Sequence, residues 1–405
     1  MFNMKKSLLL SVALGWCTLF AAPQISDVTL IPQSGTRRVT VKYKLSVEPA
    51  VITVDFTTNG VSIGSENIIS IIGDVSRRIE PSDNLRTIHW NPDKDWPNHL
   101  ITDGSFKAVV TAWATNAPPD YMAIDLATKS NIFYYVSADA VPGGVTNPMY
   151  KTSMLLMRKV PAGGKMFRMG SPSSETGRTA ANENLHWVML SEDYYLGVFE
   201  ATQGQWHQFK STKGFQYKGN EARPAESFGV TELRGSRADG YSWPLNGHDV
   251  KSDGLFGLIR GRTGVQVDLP TEAQWEFACR AGTESAYSYD TNEVALADFA
   301  WYGKASGSGT HEVGLLRSNG LGFYDMHGNV SETCLDYFQA ALTGPVEDPE
   351  GVDSGNADNL HFTVRGGHVE AAASGVRSAS RQDYNNPNGY FRLWGFRFWA
   401  PAVAP

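Results

Sequence analysis

Cysteines, clusters of basic residues and apolar runs of membrane-spanning length are all scarce in this sequence of 405 residues. Cysteine occurs only as Cys17, Cys279 and Cys334, which is too few for a disulfide-rich scaffold or a four-cysteine metal site. The net charge of -7 comes without a basic cluster, so nucleic acid is not expected as a partner. Beyond the N-terminal segment, no apolar run is long enough to cross a bilayer.

The composition that remains is that of a folded globular protein. Apolar residues make up 41% of the chain and charged residues 19%, with 11 Trp, 16 Tyr and 19 Phe. A chain of 405 residues exceeds the size at which one core usually stops growing, so we expect two domains. The 40 Gly and 20 Pro predict many turns.

The first 22 residues have the pattern of an export signal. Lys5 and Lys6 precede an apolar run that ends in small residues at Ala21 and Ala22. We therefore predict a signal peptide over residues 1–22, cleaved near Ala21, and a mature protein that is periplasmic, bound at the cell surface or secreted.

Removal of this signal leaves Cys279 and Cys334. In an oxidising compartment they could form one disulfide, or they could be two buried thiols that pack as small apolar side chains. The sequence leaves both readings open.

The rest of the chain divides by pattern into three parts. Residues 23–115 alternate apolar and polar side chains in short runs separated by turns, which predicts a β-sandwich of the immunoglobulin or fibronectin kind. Residues 116–149 open with Pro118-Pro119 and are predicted to be a linker. Residues 150–405 are rich in glycine and aromatics, with helices predicted over 202–211 and 271–281. The predicted class is α+β.

Several sequence blocks in the third part occur in an order that resembles the formylglycine-generating enzyme family, also called sulfatase-modifying factors. The blocks are VPAGGKMFRMGS at 160–171, LGVFEAT at 196–202, DLPTEAQWEFA at 268–278, NGLGFYDMHGNV at 319–330, RGG at 365–367, RSASR at 377–381 and WGFR at 394–397. The resemblance implies a fold related to C-type lectins, with little regular secondary structure and glycine-rich loops.

The same resemblance shows what is missing. Members with oxidase activity use a cysteine pair just after the Gly-Gly element to bind copper and oxidise a cysteine of a client sulfatase, because soft thiolates favour Cu(I). Here no cysteine follows Gly367, and the next residues are His368, Val369 and Glu370. The catalytic pair cannot be transferred, and copper or iron is not expected.

Candidate site residues surround this former catalytic turn. We expect five of them to be exposed beside the cleft: His368, Glu370, Arg377, Arg381 and Trp394. His368 could ligate a metal or could be a hydrogen-bonded pocket histidine. His361 lies on the same predicted strand, but alternation places it on the opposite face.

The resemblance also implies a calcium site in the loop 325–332. Its candidate ligands are the carboxylates of Asp325 and Glu332 with the backbone carbonyls of Gly328 and Val330, since calcium favours mixed oxygen ligands. The alternative is a turn in which Asp325 binds local amides.

Three functions follow from these observations. The first is an exported member without the standard oxidase chemistry that acts as a binding or accessory module for a protein or glycan ligand, with the sandwich as spacer or docking module. The second is a metal-dependent oxidase or oxygenase acting on a protein cysteine or a small thiol. The third is the standard oxidase with a sulfatase client.

Overall fold

The computed structural model describes residues 22–101, 104–128, 131–211, 214–235, 248–289, 293–304, 309–339, 343–350, 361–384 and 391–405. The signal-peptide prediction for 1–22 therefore lies outside the described residues apart from its last position. Across the described ranges, no helix combines the length and the apolar character needed to cross a membrane.

Strands predominate over helices, and the longest helices have nine residues. The strands are β1 (Gln24–Pro32), β2 (Val39–Ser46), β3 (Ala50–Thr58), β4 (Val61–Ser62), β5 (Ile71–Gly73), β6 (Arg77–Ile79), β7 (Arg86–Trp90), β8 (Phe106–Ala114), β9 (Tyr121–Asp125), β10 (Ile132–Tyr135), β11 (Met154–Val160), β12 (Lys165–Met169), β13 (His186–Leu190), β14 (Tyr194–Gly197), β15 (Ala300–Trp301), β16 (His327–Gly328), β17 (Ser331–Tyr337), β18 (Val346–Glu347), β19 (Phe362–Arg365), β20 (Arg381–Tyr384), β21 (Trp394–Phe396) and β22 (Trp399–Pro401). The α-helices are α1 (Pro92–Asp95), α2 (Gln203–His207), α3 (Val230–Arg234), α4 (Leu255–Thr263) and α5 (Glu272–Arg280). The α+β class is not confirmed, because the described elements are mostly β.

The N-terminal strands form two antiparallel sheets that share one core. One sheet has the order β1-β2-β7-β5, and the other has β4-β3-β6 with β8 also paired to β3. The alternation read from the sequence is seen in β2, where Val39, Val41 and Tyr43 are fully buried. The rings of Phe56 on β3 and Trp90 on β7 stack across the sheets with centroids 4.4 Å apart. The specific immunoglobulin or fibronectin topology stays a prediction.

Residues 116–149 differ from the predicted linker, because they supply two strands to the sheet that follows. β9 pairs with both β10 and β11 in a five-stranded sheet of order β10-β9-β11-β14-β22. Met122, Ile124 and Tyr134 are buried in one core cluster with Val51 of β3, so this segment also packs against the N-terminal strands. The Tyr134 N–H donates to the carbonyl of Ser76 at 2.8 Å.

The two predicted helices are present, with the second close to its predicted bounds. Thr271 caps α5 through a capping box with Gln274, and the helix ends at Ala281, which adopts a left-handed conformation. α2 has the same capping box but spans only Gln203–His207, and is therefore shorter than the predicted 202–211.

A four-stranded sheet of order β20-β19-β17-β21 carries the motifs near the former catalytic turn. Every residue of its strand β17 is buried, so the strand has neighbours on both edges and both faces. Glu332 of β17 is opposite Arg365 of β19 and Gly395 of β21. The RGG and WGFR blocks, distant in sequence, are thereby held on either side of β17.

We expect Gly328→Ala to destabilise the protein more than Gly282→Ala. Both glycines have positive φ, 92° and 91°, but a Cβ at Gly328 would overlap the Trp301 carbonyl, whereas a Cβ at Gly282 would have no atom within 4 Å. The left-handed backbone costs roughly 1–2 kcal/mol at either position, and the overlap adds about 1–3 kcal/mol at Gly328 alone. Urea midpoints of the two variants test this, and equal losses would contradict the structure.

Candidate functional site

Buried arginines of the motif blocks form ion pairs with glutamates. Arg377 donates to Glu183 at 2.9 and 2.8 Å and also contacts Glu175. Arg381 donates to Glu272 through its Nε at 2.7 Å and to two backbone carbonyls. The expectation that Arg377 and Arg381 are exposed is therefore wrong, because they are only 2% and 8% exposed. Their guanidinium donors are engaged in hydrogen bonds inside the protein.

Arg365, which precedes the Gly-Gly element, is also buried and engaged through its terminal nitrogens, while its Nε is 3.5 Å from Glu272 and forms no hydrogen bond. It forms an ion pair with Glu276 and donates to the carbonyls of Ala379 and Ser380 at 3.0 and 2.8 Å. Burial by itself would raise the pKa of Glu276, but Arg280 and Arg365 together hold that pKa below its ordinary value. The carboxylate is thus ionised as part of the core.

Arg397 forms another fully buried pair. It donates to Glu332 at 2.6 Å through one terminal nitrogen and at 3.0 Å through Nε, while Trp275 donates its indole N–H to the same carboxylate at 2.7 Å. Both oxygens of Glu332 are therefore occupied by hydrogen-bond donors.

Two further carboxyl groups, Glu200 and Asp325, are buried near this pair. Burial, together with the charges of Asp325 and Glu332, raises the pKa of Glu200 well above its ordinary value. Burial also raises the pKa of Asp325 to about 6. Glu200 accepts hydrogen bonds from the side chain of Asn329 and the N–H of Val330. Asp325 accepts one from the N–H of Gly314 at 2.7 Å through Oδ2, and its other oxygen has no partner.

The predicted calcium ligands do not fit this arrangement as a set. Glu332 is neutralised by Arg397, and a guanidinium beside it repels a second cation. In the described part of the chain, no three His, Cys, Asp or Glu side chains are grouped so that they could hold a metal ion. Of the two predicted carboxylate ligands, only Asp325 has an oxygen without a hydrogen-bond donor. Calcium binding by Asp325 stays a prediction.

The two thiols of the described chain are free and buried. Cys279 and Cys334 have 0% exposure and form no disulfide, which supports the reading that they pack as apolar side chains. Burial raises the pKa of Cys279 to about 12 and that of Cys334 well above its ordinary value. Both are therefore protonated at neutral pH and are poor nucleophiles and metal ligands.

The Gly-Gly element forms a tight turn directly before His368, Val369 and Glu370. Gly366 and Gly367 have φ of 83° and 66°, and a Cβ at Gly367 would overlap the carbonyl of Gly375. The N–H of Val369 donates to the carbonyl of Asn329 at 3.0 Å, so the turn is tied to the loop before β17. His368 and Glu370 on either side of Val369 are half-buried.

Beside this turn lies a group of four aromatic rings, which we call the aromatic strip: His368, Tyr384, Phe391 and Trp394. The ring centroids of His368 and Phe391 are 6.5 Å apart, those of Phe391 and Trp394 are 4.9 Å apart, and those of Tyr384 and Trp394 are 3.5 Å apart. Phe391 is 40% exposed, and the other three are half-buried. Partial burial lowers the pKa of His368, so its ring is neutral at pH 7.

An ion pair continues the strip on its polar side. Arg392 and Glu370 are 3.0 Å apart, and Arg392 also donates to the hydroxyl of Tyr217. Oε1 of Glu370 is buried and has no hydrogen-bond partner. The arrangement offers aromatic faces next to a carboxylate acceptor, a combination that suits an amphipathic ligand.

Three of the five predicted site residues, His368, Glu370 and Trp394, are brought together here. Nδ1 of His361 is 2.6 Å from Oδ1 of Asp383, and His361 is not part of this group. Sequence reasoning missed four residues of this site, because single aromatics and a lone arginine have no periodic or motif pattern. They are Tyr217, Tyr384, Phe391 and Arg392.

We expect Asp325→Asn to be close to neutral at pH 4 and stabilising at pH 7. A raised folded-state pKa means that the stability due to protonated Asp325 is complete below pH 3.8 and is lost as the pH rises through about 6. Asparagine is already neutral and tolerates the φ of 57° at this position. The difference between variant and wild type should therefore grow by up to roughly 3 kcal/mol between pH 4 and pH 7.

Urea unfolding at both pH values in EDTA measures this difference. A variant that is less stable than the wild type at pH 7 would contradict it. Repeating the pH 7 measurement with calcium tests the remaining calcium prediction, since a calcium-dependent gain in the wild type that Asp325→Asn abolishes would show ligation by Asp325.

Comparison with known proteins identifies relatives of the C-terminal part of the chain. Residues 151–400 match the family described as the sulfatase-modifying factor enzyme 1-like domain. The chain is 29% identical over 184 residues to chaperone protein LppX of Paenibacillus barcinonensis, covering 37% of this chain and 64% of that protein. It is 32% identical over 149 residues to a formylglycine-generating enzyme of Thermomonospora curvata, covering 32% of this chain and 48% of that protein. Each match thus spans less than two thirds of the relative.

One solved structure has a similar fold. The structure of PvdO from Pseudomonas aeruginosa is similar with a TM-score of 0.51 at 21% identity, covering 61% of this chain and 94% of that chain. The family match covers more than half of the sequence and includes the blocks that carry the resemblance. The chain therefore belongs to the formylglycine-generating enzyme, or sulfatase-modifying factor, family.

Proposed function

We propose that this protein is an exported family member that has lost the cysteine-dependent oxidase chemistry and binds a protein or glycan ligand through the aromatic strip. The observation that carries the first half is the chemistry of its thiols. No cysteine follows Gly367, and Cys279 and Cys334 are buried thiols with raised pKa values. Without an accessible thiolate, the copper chemistry that the family resemblance implies has no ligands at its usual place.

The proposed ligand binding is supported by the side chains beside the Gly366-Gly367 turn. His368, Phe391 and Trp394 expose parts of their rings next to the Glu370–Arg392 pair, on a scaffold that the buried ion pairs hold rigid. Partly exposed aromatics beside a charge pair are typical of recognition surfaces. The two N-terminal sheets have the role of a spacer or docking module, and the Lys5-Lys6 and apolar pattern of the first 22 residues supports export.

Co-expression with a sulfatase tests the loss of oxidase activity. We expect the target cysteine of the sulfatase to keep its thiol in peptide mass spectra, because this protein offers no reactive thiolate. A parallel co-expression with a cysteine-containing family enzyme shows that the sulfatase is a competent client. Formation of the aldehyde by this protein would overturn the proposal, whether it arose from the standard chemistry or from a metal-dependent route.

Substitutions in the strip test the binding surface. A glycan array and a panel of extracellular proteins identify a ligand for the wild type, and Trp394→Ala and Phe391→Ala are then expected to weaken binding by about tenfold or more, since exposed aromatic anchors often contribute over 1 kcal/mol. Trp187→Ala is the matched control, because Trp187 is 47% exposed and lies on β13, outside the strip. Equal affinities for Trp394→Ala and the wild type would place the site elsewhere.

A further inference from the structure

A second concave surface lies on the C-terminal domain and shares no residue with the aromatic strip. This acidic cleft has a volume of about 480 Å³, and its lining includes Glu192, Asp193, His248, Asp348, Glu350 and Trp399. The volume is within the range of ligand-binding clefts. No lysine or arginine is among the described residues that line it.

Two of the four carboxylates are fixed in position by backbone donors. The N–H of Ser191 donates to Oδ1 of Asp348 at 2.9 Å, and the N–H of Asp348 donates to the carbonyl of Met189 at 2.9 Å. The N–H of Gly163 donates to Oδ1 of Asp193 at 2.8 Å. In each aspartate the second oxygen is left without a donor in the described structure. These carboxylates are therefore preorganised acceptors.

None of the four carboxylates forms an ion pair with a described residue. Elsewhere in the domain, carboxylates are matched with arginines, as in the pairs of Asp268 with Arg234 and of Glu272 with Arg381. Four unmatched negative charges in one concave surface repel each other and attract a cation from solution. The charge of the cleft is thus complementary to a positively charged partner.

Trp399 supplies an independent indication of a ligand. Trp399 is one of the lining residues of the cleft, it is only 7% exposed, and its indole N–H is buried without an acceptor. A buried unpaired donor costs about 1–3 kcal/mol, which an acceptor on a ligand would recover. The ring of His248 stacks on Trp399 with centroids 4.4 Å apart, and its Nδ1 is 2.8 Å from a carboxylate oxygen of Asp268, so two contacts position this imidazole.

We propose that the acidic cleft binds a basic segment of a partner protein. Lysine or arginine side chains of the segment pair with Asp193, Asp348 and their neighbours, and a main-chain carbonyl accepts the hydrogen bond from Trp399. Several separate carboxylates match several positive charges, which favours a peptide over a small ligand with a single amine. A peptide also carries the carbonyl that the indole N–H lacks.

Titration with synthetic peptides tests this inference. A short lysine- and arginine-containing peptide is compared, by isothermal titration calorimetry at low salt, with a peptide of the same length in which glutamine replaces the basic residues. We expect saturable binding of the basic peptide alone. Asp348→Asn should weaken it by about two- to fivefold, and the double variant with Asp193→Asn by about tenfold, as expected for partly exposed ion pairs. Asparagine keeps the oxygen that accepts the backbone N–H, so both variants should fold.

Glu284→Gln is the matched control, because it removes one exposed carboxylate that lies outside the cleft. Equal weakening by Glu284→Gln and Asp348→Asn would mean attraction by net charge only and would overturn the site. Binding of the glutamine peptide with the same affinity, or binding of glucosamine without binding of the basic peptide, would overturn the proposed partner. Trp394→Ala should leave peptide binding unchanged, so failure here is distinguishable from failure of the strip.

Discussion

The pairing of buried arginines with buried glutamates is the constraint on which the C-terminal domain depends. Each charge loses several kcal/mol of hydration on burial, and the loss is offset only when its partner and the remaining donors are satisfied. Arg377 and Arg397 meet this condition, since each has a carboxylate and at least two backbone carbonyls as acceptors. Arg365 has the same kinds of acceptor for its terminal nitrogens, and its Nε is 3.5 Å from Glu272. Removing one partner from such a pair typically costs about 3–5 kcal/mol, so the pairs hold the loops of a domain with few long helices or strands in a single arrangement.

This constraint explains why family motifs are present in a chain that lacks the family's cysteine pair. The arginines and glutamates of the motif blocks have a structural task that does not depend on oxidation chemistry. They hold β17, β19 and β21 in register and fix the turn at Gly366 and Gly367. His368 and Glu370, which follow the turn, are half-buried and form none of the ion pairs with Arg365, Arg377 or Arg397.

The buried carboxyl groups around Arg397 and the carboxylates of the acidic cleft differ in how their negative charge is compensated. Around Arg397 there are three buried acidic groups, and burial raises the pKa values of Glu200 and Asp325, which shifts both groups toward their protonated forms. At the acidic cleft, no described arginine forms an ion pair with the four carboxylates. Negative charge in the core is thus limited by arginine pairing and by raised pKa values, whereas the acidic cleft is complementary to a cationic partner.

Features with a local cause could be predicted from the amino-acid sequence. The capping box at Thr271 set the start of α5, the alternation in β2 set its buried face, and the order of the motif blocks identified the family. The absence of a thiol after Gly367 is likewise a fact of sequence. Strand pairings and ion pairs between residues far apart in the chain were visible only in the tertiary structure. The strands within 116–149 were not predicted, because their sheet is completed by β11, which lies outside that segment. Arg377 and Arg381 were expected at the surface, because the glutamates with which they form ion pairs are 194 and 109 residues away in the chain. The aromatic strip and the acidic cleft belong to this second kind, since proximity between loops is created by packing and leaves no pattern in the linear sequence.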